Sequence, residues 1–260
     1  MKVGIAMLAI ERKRHILEYV KQHQLASVSE LAVVCNVHQA TIRRDLNELE
    51  DEGLLQRTHG GVMGARDNIS SEPSFSEREQ KHREEKERIG KQAAAYVEDG
   101  DTILIDSGTT TFQMVPHLLQ RKQLTVVTND INIAAAFRHA HSIKTFVTGG
   151  VLFHDSYMLN GTYTDDMLAK LHVQKAFIGT PAIHPEFGIM HFDDYLVSAK
   201  KKMIDAVEQV MVLADHTKMD QLSMHEVAPL TSVQKVITGT DLDERVKHAF
   251  EEKGVSVDLV

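Results

Sequence analysis

Apolar residues recur at helical spacing through the first fifty positions and at strand spacing through much of the rest. Ile16, Leu17 and Val20 mark an amphipathic helix over residues 11–24. Ser27 to Ser29 offer a capping start to a short second helix over 29–35, and Asn36-Val37-His38 turns the chain. Ile42, Leu46 and Leu49 share one face of a third helix over 39–51, with Gly53 placed to close it in a left-handed C-cap. Leu54 to Val62 then reads as a two-strand hairpin turning near Gly60-Gly61. Residues 64–74 lack periodicity and carry the Gly, Asn, Ser and Pro of a linker. A charged helix is expected over 75–97, where the mixed signs of Glu77 to Arg88 predict a solvated face.

Beyond Gly100 the pattern changes. Short apolar runs at 102–105, 124–127, 144–147, 175–178, 210–214 and 235–238 read as buried strands, most of them separated by helical stretches. That alternation is the signature of an α/β domain with a largely parallel sheet. The expected division is therefore 1–63, a helix-turn-helix with a wing; 64–74, a linker; and 75–260, an α/β domain. A length of 260 residues suits two domains, and 42% hydrophobic residues suffice for ordinary cores.

Composition narrows the setting. No run reaches the ~18 apolar residues of a membrane span, and the first fifteen residues lack the apolar stretch of a secretory leader. A single cysteine, Cys35, excludes an internal disulfide and fits a reducing cytoplasm; among Leu31 to Val34 it reads as a buried structural thiol. The formal charge is −8. Residues 1–63 carry eight Lys/Arg and eight Asp/Glu, so the remainder holds the whole imbalance. Nucleic-acid binding must then rest on where the cations lie, not on their number.

Their placement is informative. In helix-turn-helix geometry the first turn of the third helix meets base edges in the major groove. Here that turn offers Gln39, Ala40, Thr41, Arg43 and Arg44, while Glu48, Glu50, Asp51 and Glu52 crowd the far end. Arginine can bind guanine, glutamine can bind adenine, and Ala or Thr can touch a thymine methyl. The plainer alternative is that Arg43 and Arg44 pair with Asp45 or Glu48. Arg57 and His59 on the hairpin suit phosphate contacts.

A second constellation follows the strand ends. Asp106-Ser107-Gly108-Thr109-Thr110 stands between the strand at 102–105 and a helix expected near Phe112, offering N–H and O–H donors to an anion. Thr128-Asn129, Gly149-Gly150 and Asp215 to Lys218 likewise stand just past strands, where open α/β sheets bind ligands. Lys200, Lys201 and Lys202 form a basic cluster from which one lysine could offset a phosphate charge.

Thr41-Ile42-Arg43-Arg44-Asp45-Leu46, Leu49, Gly53-Leu54-Leu55 and Arg57-Thr58-His59-Gly60-Gly61 resemble the N-terminal signature of DeoR-type repressors of bacterial sugar operons. Asp106 to Thr110, Thr128-Asn129, Gly149-Gly150, Phe177-Ile178-Gly179, Lys200 and Ala214 to Lys218 resemble that family's sugar-phosphate-sensing domain, whose fold is related to ribose-5-phosphate isomerase. Phe192-Asp193 with Asp215-His216 look most like the glycerol-3-phosphate repressor branch. The resemblance implies a start at Met7, operator DNA and a phosphorylated sugar or polyol as partners, and no cofactor, metal or catalysis. A homodimer or homotetramer is expected, since one helix seldom supplies specific affinity. The chain departs from the family at Phe153-His154, where an arginine is common, at Leu196, where a glutamate is common, and at Met219, usually phenylalanine. An isomerase-like enzyme carrying a DNA-binding module is the alternative from another class, and an activator is the alternative in mode of regulation.

Overall fold

The computed structural model describes residues 9–23, 25–51, 55–58, 61–64 and 74–260. The chain forms two compact units, Met1–Ser71 and Glu72–Val260.

In the first unit, α1 (Ala9–His23), β1 (Leu25–Ser27), α2 (Val28–Val34), α3 (Gln39–Asp51), β2 (Leu55–Thr58) and β3 (Gly61–Gly64) follow in order. Ser27 caps α2 in a reciprocal box: its hydroxyl accepts from Glu30 N–H while the Glu30 carboxylate accepts from Ser27 N–H. Ile16, Val20, Leu31, Ile42, Leu46, Leu49 and Val62 are buried together, so the apolar stripes of the three helices meet as their spacing requires. The hairpin β2–β3 is joined by β1, giving the sheet order β1-β3-β2. Three residues are too few for a periodicity signal, and the sequence pattern did not reveal β1. Cys35 is buried and unpaired, and burial pushes its thiol pKa up.

The second unit opens with α4 (Phe75–Gln80) and α5 (Arg83–Ala95) where one charged helix was expected. The break falls at Lys81–His82, with His82 in the left-handed region at φ 54°. The expected solvated face is present in Glu77, Lys81, Arg83, Glu84, Glu87 and Arg88, but Glu85 and Lys86 of the same run are buried. There follow β4 (Thr102–Ile105), a 3-10 turn at Thr111–Met114, α6 (Val115–Leu118), β5 (Leu124–Thr128), α7 (Ile131–Ala136) and β6 (Ile143–Val147). Then come β7 (Val151–Phe153), β8 (Met158–Asn160), α8 (Thr162–Leu168), β9 (Val173–Gly179), β10 (Ala182–His184), β11 (Gly188–His191) and α9 (Asp194–Asp205). The chain ends through β12 (Val207–Leu213), β13 (His225–Ala228), β14 (Lys235–Thr238), α10 (Glu244–Glu252) and β15 (Ser256–Leu259).

Seven strands form one parallel sheet in the order β15-β14-β12-β9-β4-β5-β6. Alternate residues of its strands point to opposite faces. Leu104, Ala176, Ile178, Val212 and Val236 pack with Leu168, Met203 and Phe250 on one side. Ile103, Ile105, Phe177, Met211 and Ile237 pack with Ile89, Ala93 and Met114 on the other. Helices therefore cover both faces, which is why the strands read as continuous apolar runs. From β4 the chain winds outward to β5 and β6, then returns to the other side of β4 as β9. The sheet has its switch point between β4 and β9, the place where such folds open a crevice.

Candidate functional site

On α3, Ile42, Leu46 and Leu49 face the core, leaving Gln39, Ala40, Arg43 and Arg44 exposed and Thr41 partly so. Asp45 is buried and bound by Arg12 of α1, whose Nε and Nη2 donate to it at 2.5 and 3.1 Å. Asp45 thus ties α3 to α1. Arg43 Nη2 donates to Gln39 Oε1 at 3.3 Å, and Arg44 Nε donates to Glu48 Oε1 at 3.3 Å. The Arg44 side chain is 83% exposed; pairs of this kind are worth ~0.3–0.5 kcal/mol and yield readily to a stronger anion. Arg57 lies on β2 with its backbone paired to Val62. Gly53, His59, Gly60, Met7 and the Arg57 side chain lie outside the described residues.

In the second unit a cavity of about 320 Å³ opens at the switch point. The loop after β4 lines it with Ser107, Gly108, Thr109 and Thr110, the loop after β9 with Thr180 and Pro181, and the loop after β12 with Asp215, Thr217 and Lys218. Lys200 reaches it from α9, beside Leu196. The helix expected near Phe112 begins as the 3-10 turn Thr111–Met114, so its dipole is that of a single tight turn.

The remaining expected residues stand behind the wall. Asp106 is buried beneath it, accepting from Lys200 Nζ and from Gly179 N–H. Burial pushes its carboxyl pKa up, with the Lys200 ammonium opposing. Lys200 also donates to the Gly179 carbonyl at 2.7 Å, so its charge is largely taken up by Asp106. Thr128 and Asn129 are fully buried: Asn129 Oδ1 accepts from Ser107 N–H, and Thr128 Oγ1 from Asp130 N–H, both at 3.0 Å. Asp130 Oδ2 accepts from the Ser107 hydroxyl at 2.8 Å. These groups hold the loop after β4 in shape. Gly149 and Gly150 also lie away from the cavity, in a left-handed turn with φ 71° and 117°. A Cβ on Gly150 would meet the Asn160 carbonyl at 2.5 Å, so glycine there serves packing.

What the sequence reading missed is the cavity's cationic wall. Arg78, Lys81 and Lys86 form it on α4, α5 and the break between them, where His82 also lines the cavity. Lys86 Nζ donates to the Arg78 carbonyl at 2.5 Å. Burial lowers its pKa, opposed by nearby Asp215 and reinforced by Lys218 and Arg78. A signal was present: Ile89, Gly90, Ala93 and Ala94 form a buried stripe, and one turn earlier that stripe reaches Glu85 and Lys86. Glu85 Oε1 accepts from His216 N–H at 2.7 Å and Gly239 N–H at 3.1 Å, drawing α5 onto the loop after β12. A Cβ on Gly239 would meet Glu85 Oε1 at 2.2 Å. His191 of β11 lines the cavity as well. Its Nδ1 accepts from Asp193 N–H at 3.1 Å, leaving the proton on Nε2. Burial first, then Lys200, pushes its pKa down to about 3. Asp215 is the one carboxylate lining the cavity among the described residues, facing Arg78, Lys81, Lys86 and Lys218.

Two family models match: the DeoR-like helix-turn-helix domain over residues 12–66 and the DeoR C-terminal sensor domain over residues 81–240. The transcriptional regulator YulB of Bacillus subtilis is 35% identical over 98% of both chains. The transcriptional repressor GlcR of the same organism is 35% identical over 95% of both. The glycerol-3-phosphate regulon repressor of Escherichia coli is 29% identical over 97% of this chain and 100% of its own. Among solved structures, a ribose 5-phosphate isomerase A of Methanocaldococcus jannaschii aligns over 54% of this chain and 56% of that one, with TM-score 0.41 and 16% identity. The sorbitol operon regulator SorC of Klebsiella pneumoniae aligns over 94% and 99%, with TM-score 0.42 and 12% identity. The chain belongs to the DeoR family of DNA-binding transcriptional regulators.

Proposed function

We propose that this regulator represses a carbohydrate-utilisation operon and leaves its operator when a phosphorylated sugar or polyol fills the cavity. The observation that carries the reading is the cavity's charge: Arg78, Lys81, Lys86 and Lys218 face a single carboxylate beside the Ser107 to Thr110 loop. A small dianion with a hydroxylated body suits that lining, with hydroxyl donors for the phosphate and Leu196, Phe192 and Met158 for the carbon chain. Gln39, Ala40, Thr41, Arg43 and Arg44 read bases, while Arg57 and His59 hold phosphates. The assignment uses 1–63 for DNA and 75–260 for the effector, joined by 64–74, in a cytoplasmic homodimer or homotetramer. Operator release follows if the anion binds the non-DNA-binding arrangement more tightly, since a ligand shifts an equilibrium only by differential affinity.

The enzyme alternative is disfavoured by the lining itself. Isomerisation of a sugar needs a positioned base, Leu196 stands where an acid would serve, and Asp215 already accepts from the Thr217 N–H and hydroxyl.

A thermal-shift screen of phosphorylated sugars against the unphosphorylated forms tests the reading, because a ligand raises apparent stability by mass action. One phosphorylated compound is expected to raise Tm and release operator DNA. In Thr109→Val/Thr110→Val both responses should vanish while operator affinity holds. Normal release in the double variant, or a response to unphosphorylated sugars alone, overturns the assignment.

A further inference from the structure

His82, Glu85 and His216 meet at the edge of the cavity, which His82 also lines. His216 Nδ1 lies 2.9 Å from Glu85 Oε2, and His82 Nδ1 lies 3.7 Å from the same oxygen. The three ligand atoms all fall within 4.8 Å of one another. A tetrahedral ion with ligands at about 2.0–2.1 Å sets neighbouring ligand atoms about 3.3 Å apart, and the observed separations bracket that value.

The cluster is also oriented. Glu85 is buried, and its Oε1 is fixed by the N–H groups of His216 and Gly239, so the carboxylate turns Oε2 toward the two imidazoles. Such outer hydrogen bonds to a ligating carboxylate are characteristic of metal sites. His82 occupies the left-handed region at the N-cap of α5 without capping the helix through its side chain. A histidine tolerates that conformation better than most residues. The backbone there brings its ring to 5.1 Å from that of His216, edge to face.

We infer that His82, Glu85 and His216 form a site for a divalent zinc-class metal ion, with two imidazoles and one carboxylate as ligands and one position left for water or an anion. Two nitrogens and one oxygen suit zinc, and three protein ligands are the number found where a fourth position stays open. The ion joins the first turn of α5 to the loop after β12, two walls of the cavity, and the inference does not depend on what fills that cavity.

Calorimetric titration of the full-length, untagged protein with zinc chloride tests it. One ion per chain is expected in a class tighter than the rest, because among the described residues no other such cluster of ligand atoms occurs. His82→Asn keeps a residue that tolerates the left-handed region and should weaken this class at least about tenfold, as should His216→Gln. His141→Asn, on the surface, should leave it unchanged. Zinc should raise Tm in the wild type and in His141→Asn but not in His82→Asn. The inference is overturned by the absence of a tight class in the wild type, or by the same affinity in His82→Asn.

Discussion

The two polar regions of this molecule handle charge in opposite ways. On α3, Arg43 and Arg44 stand in solvent with weak local partners, and buried Asp45 nearby is held by Arg12. Around the cavity the cations are partly withdrawn from water: Lys86 is buried with a carbonyl as its hydrogen-bond acceptor, and Lys200 is buried on Asp106. Exposed charge costs little to keep and stays available to an incoming anion at no loss of stability. Buried charge without a counter-ion is costly, and a fold that retains it gains when an anion arrives. Stability is therefore expected to be indifferent to the arginines proposed to read bases and sensitive to the buried groups, with opposite signs for fully and partly compensated ones.

The largest effect should come from separating the buried pair of the first unit. Arg12→Met leaves Asp45 in the core without its guanidinium, which typically costs about 3–5 kcal/mol. Urea or thermal unfolding followed by circular dichroism should show residues 1–71 melting well before the rest. A loss under about 1 kcal/mol would mean that the pair contributes no more than a surface bridge.

Next comes the pH dependence of the cavity wall. His191 is neutral in the fold, with its pKa pushed down to about 3 from an ordinary 6.5. Below pH 6.5 the unfolded chain takes a proton that the fold refuses, so stability falls as pH drops from about 6.5 toward 3. At pH 5 the cost is about 2 kcal/mol relative to pH 7.5. Asp106 and Asp130, raised by burial, act in the opposite direction over acidic pH. The difference between the wild type and His191→Gln isolates the histidine: the wild type should lose stability faster between pH 7.5 and 5, and parallel curves would refute its role.

The contrast also explains what could be read in advance. α3 was legible to the residue because Ile42, Leu46 and Leu49 repeat at helical spacing within its thirteen residues, and clustered Gln39 to Arg44 needs no tertiary contact to be seen. The five central strands of the parallel sheet were legible because both faces are covered, which makes each an apolar run; edge strand β6 was read from its apolar residues, and edge strand β15 was not read. β1, β7, β8 and β10 have three residues each, too few for any period. The cavity was half legible. Ser107 to Thr110 and Asp215 to Lys218 stand at strand ends, whereas Arg78 and Lys86 come from a charged segment that looks solvated until Ile89 to Ala94 fix its buried face. Thr128, Asn129, Gly149 and Gly150 follow strands too, yet the order in which strands pair sends their loops behind or away from the opening. That order depends on contacts between residues far apart in sequence, and local pattern does not encode it.

On the exposed side of the comparison, Arg43→Ala should cost ~1–3 kcal/mol of specific binding if it reads a guanine, with no change in unfolding midpoint. An operator selected from random duplexes supplies the probe, and affinity is measured at several salt concentrations. Loss confined to the selected sequence marks base reading. An equal loss on any duplex, with a shallower salt dependence, reassigns Arg43 to a phosphate.

The smallest shift carries the sharpest test of the buried side. Lys86→Met removes a charge whose pKa burial already lowers and keeps the length and apolar stem of the side chain. If Lys86 is held for an incoming anion, the variant should unfold no earlier than the wild type, and up to about 1 kcal/mol later, because an apolar group relieves the desolvation of a buried charge that Asp215 only partly offsets. Tm should at the same time stop rising with the phosphorylated ligand that stabilises the wild type. The two readings separate cleanly: a structural lysine loses stability on substitution and keeps its ligand response, whereas a binding lysine keeps stability and loses the response. A drop of more than about 1 kcal/mol with the response intact would make Lys86 a brace between α5 and the Arg78 carbonyl, and the cavity's cationic character would then rest on Arg78, Lys81 and Lys218.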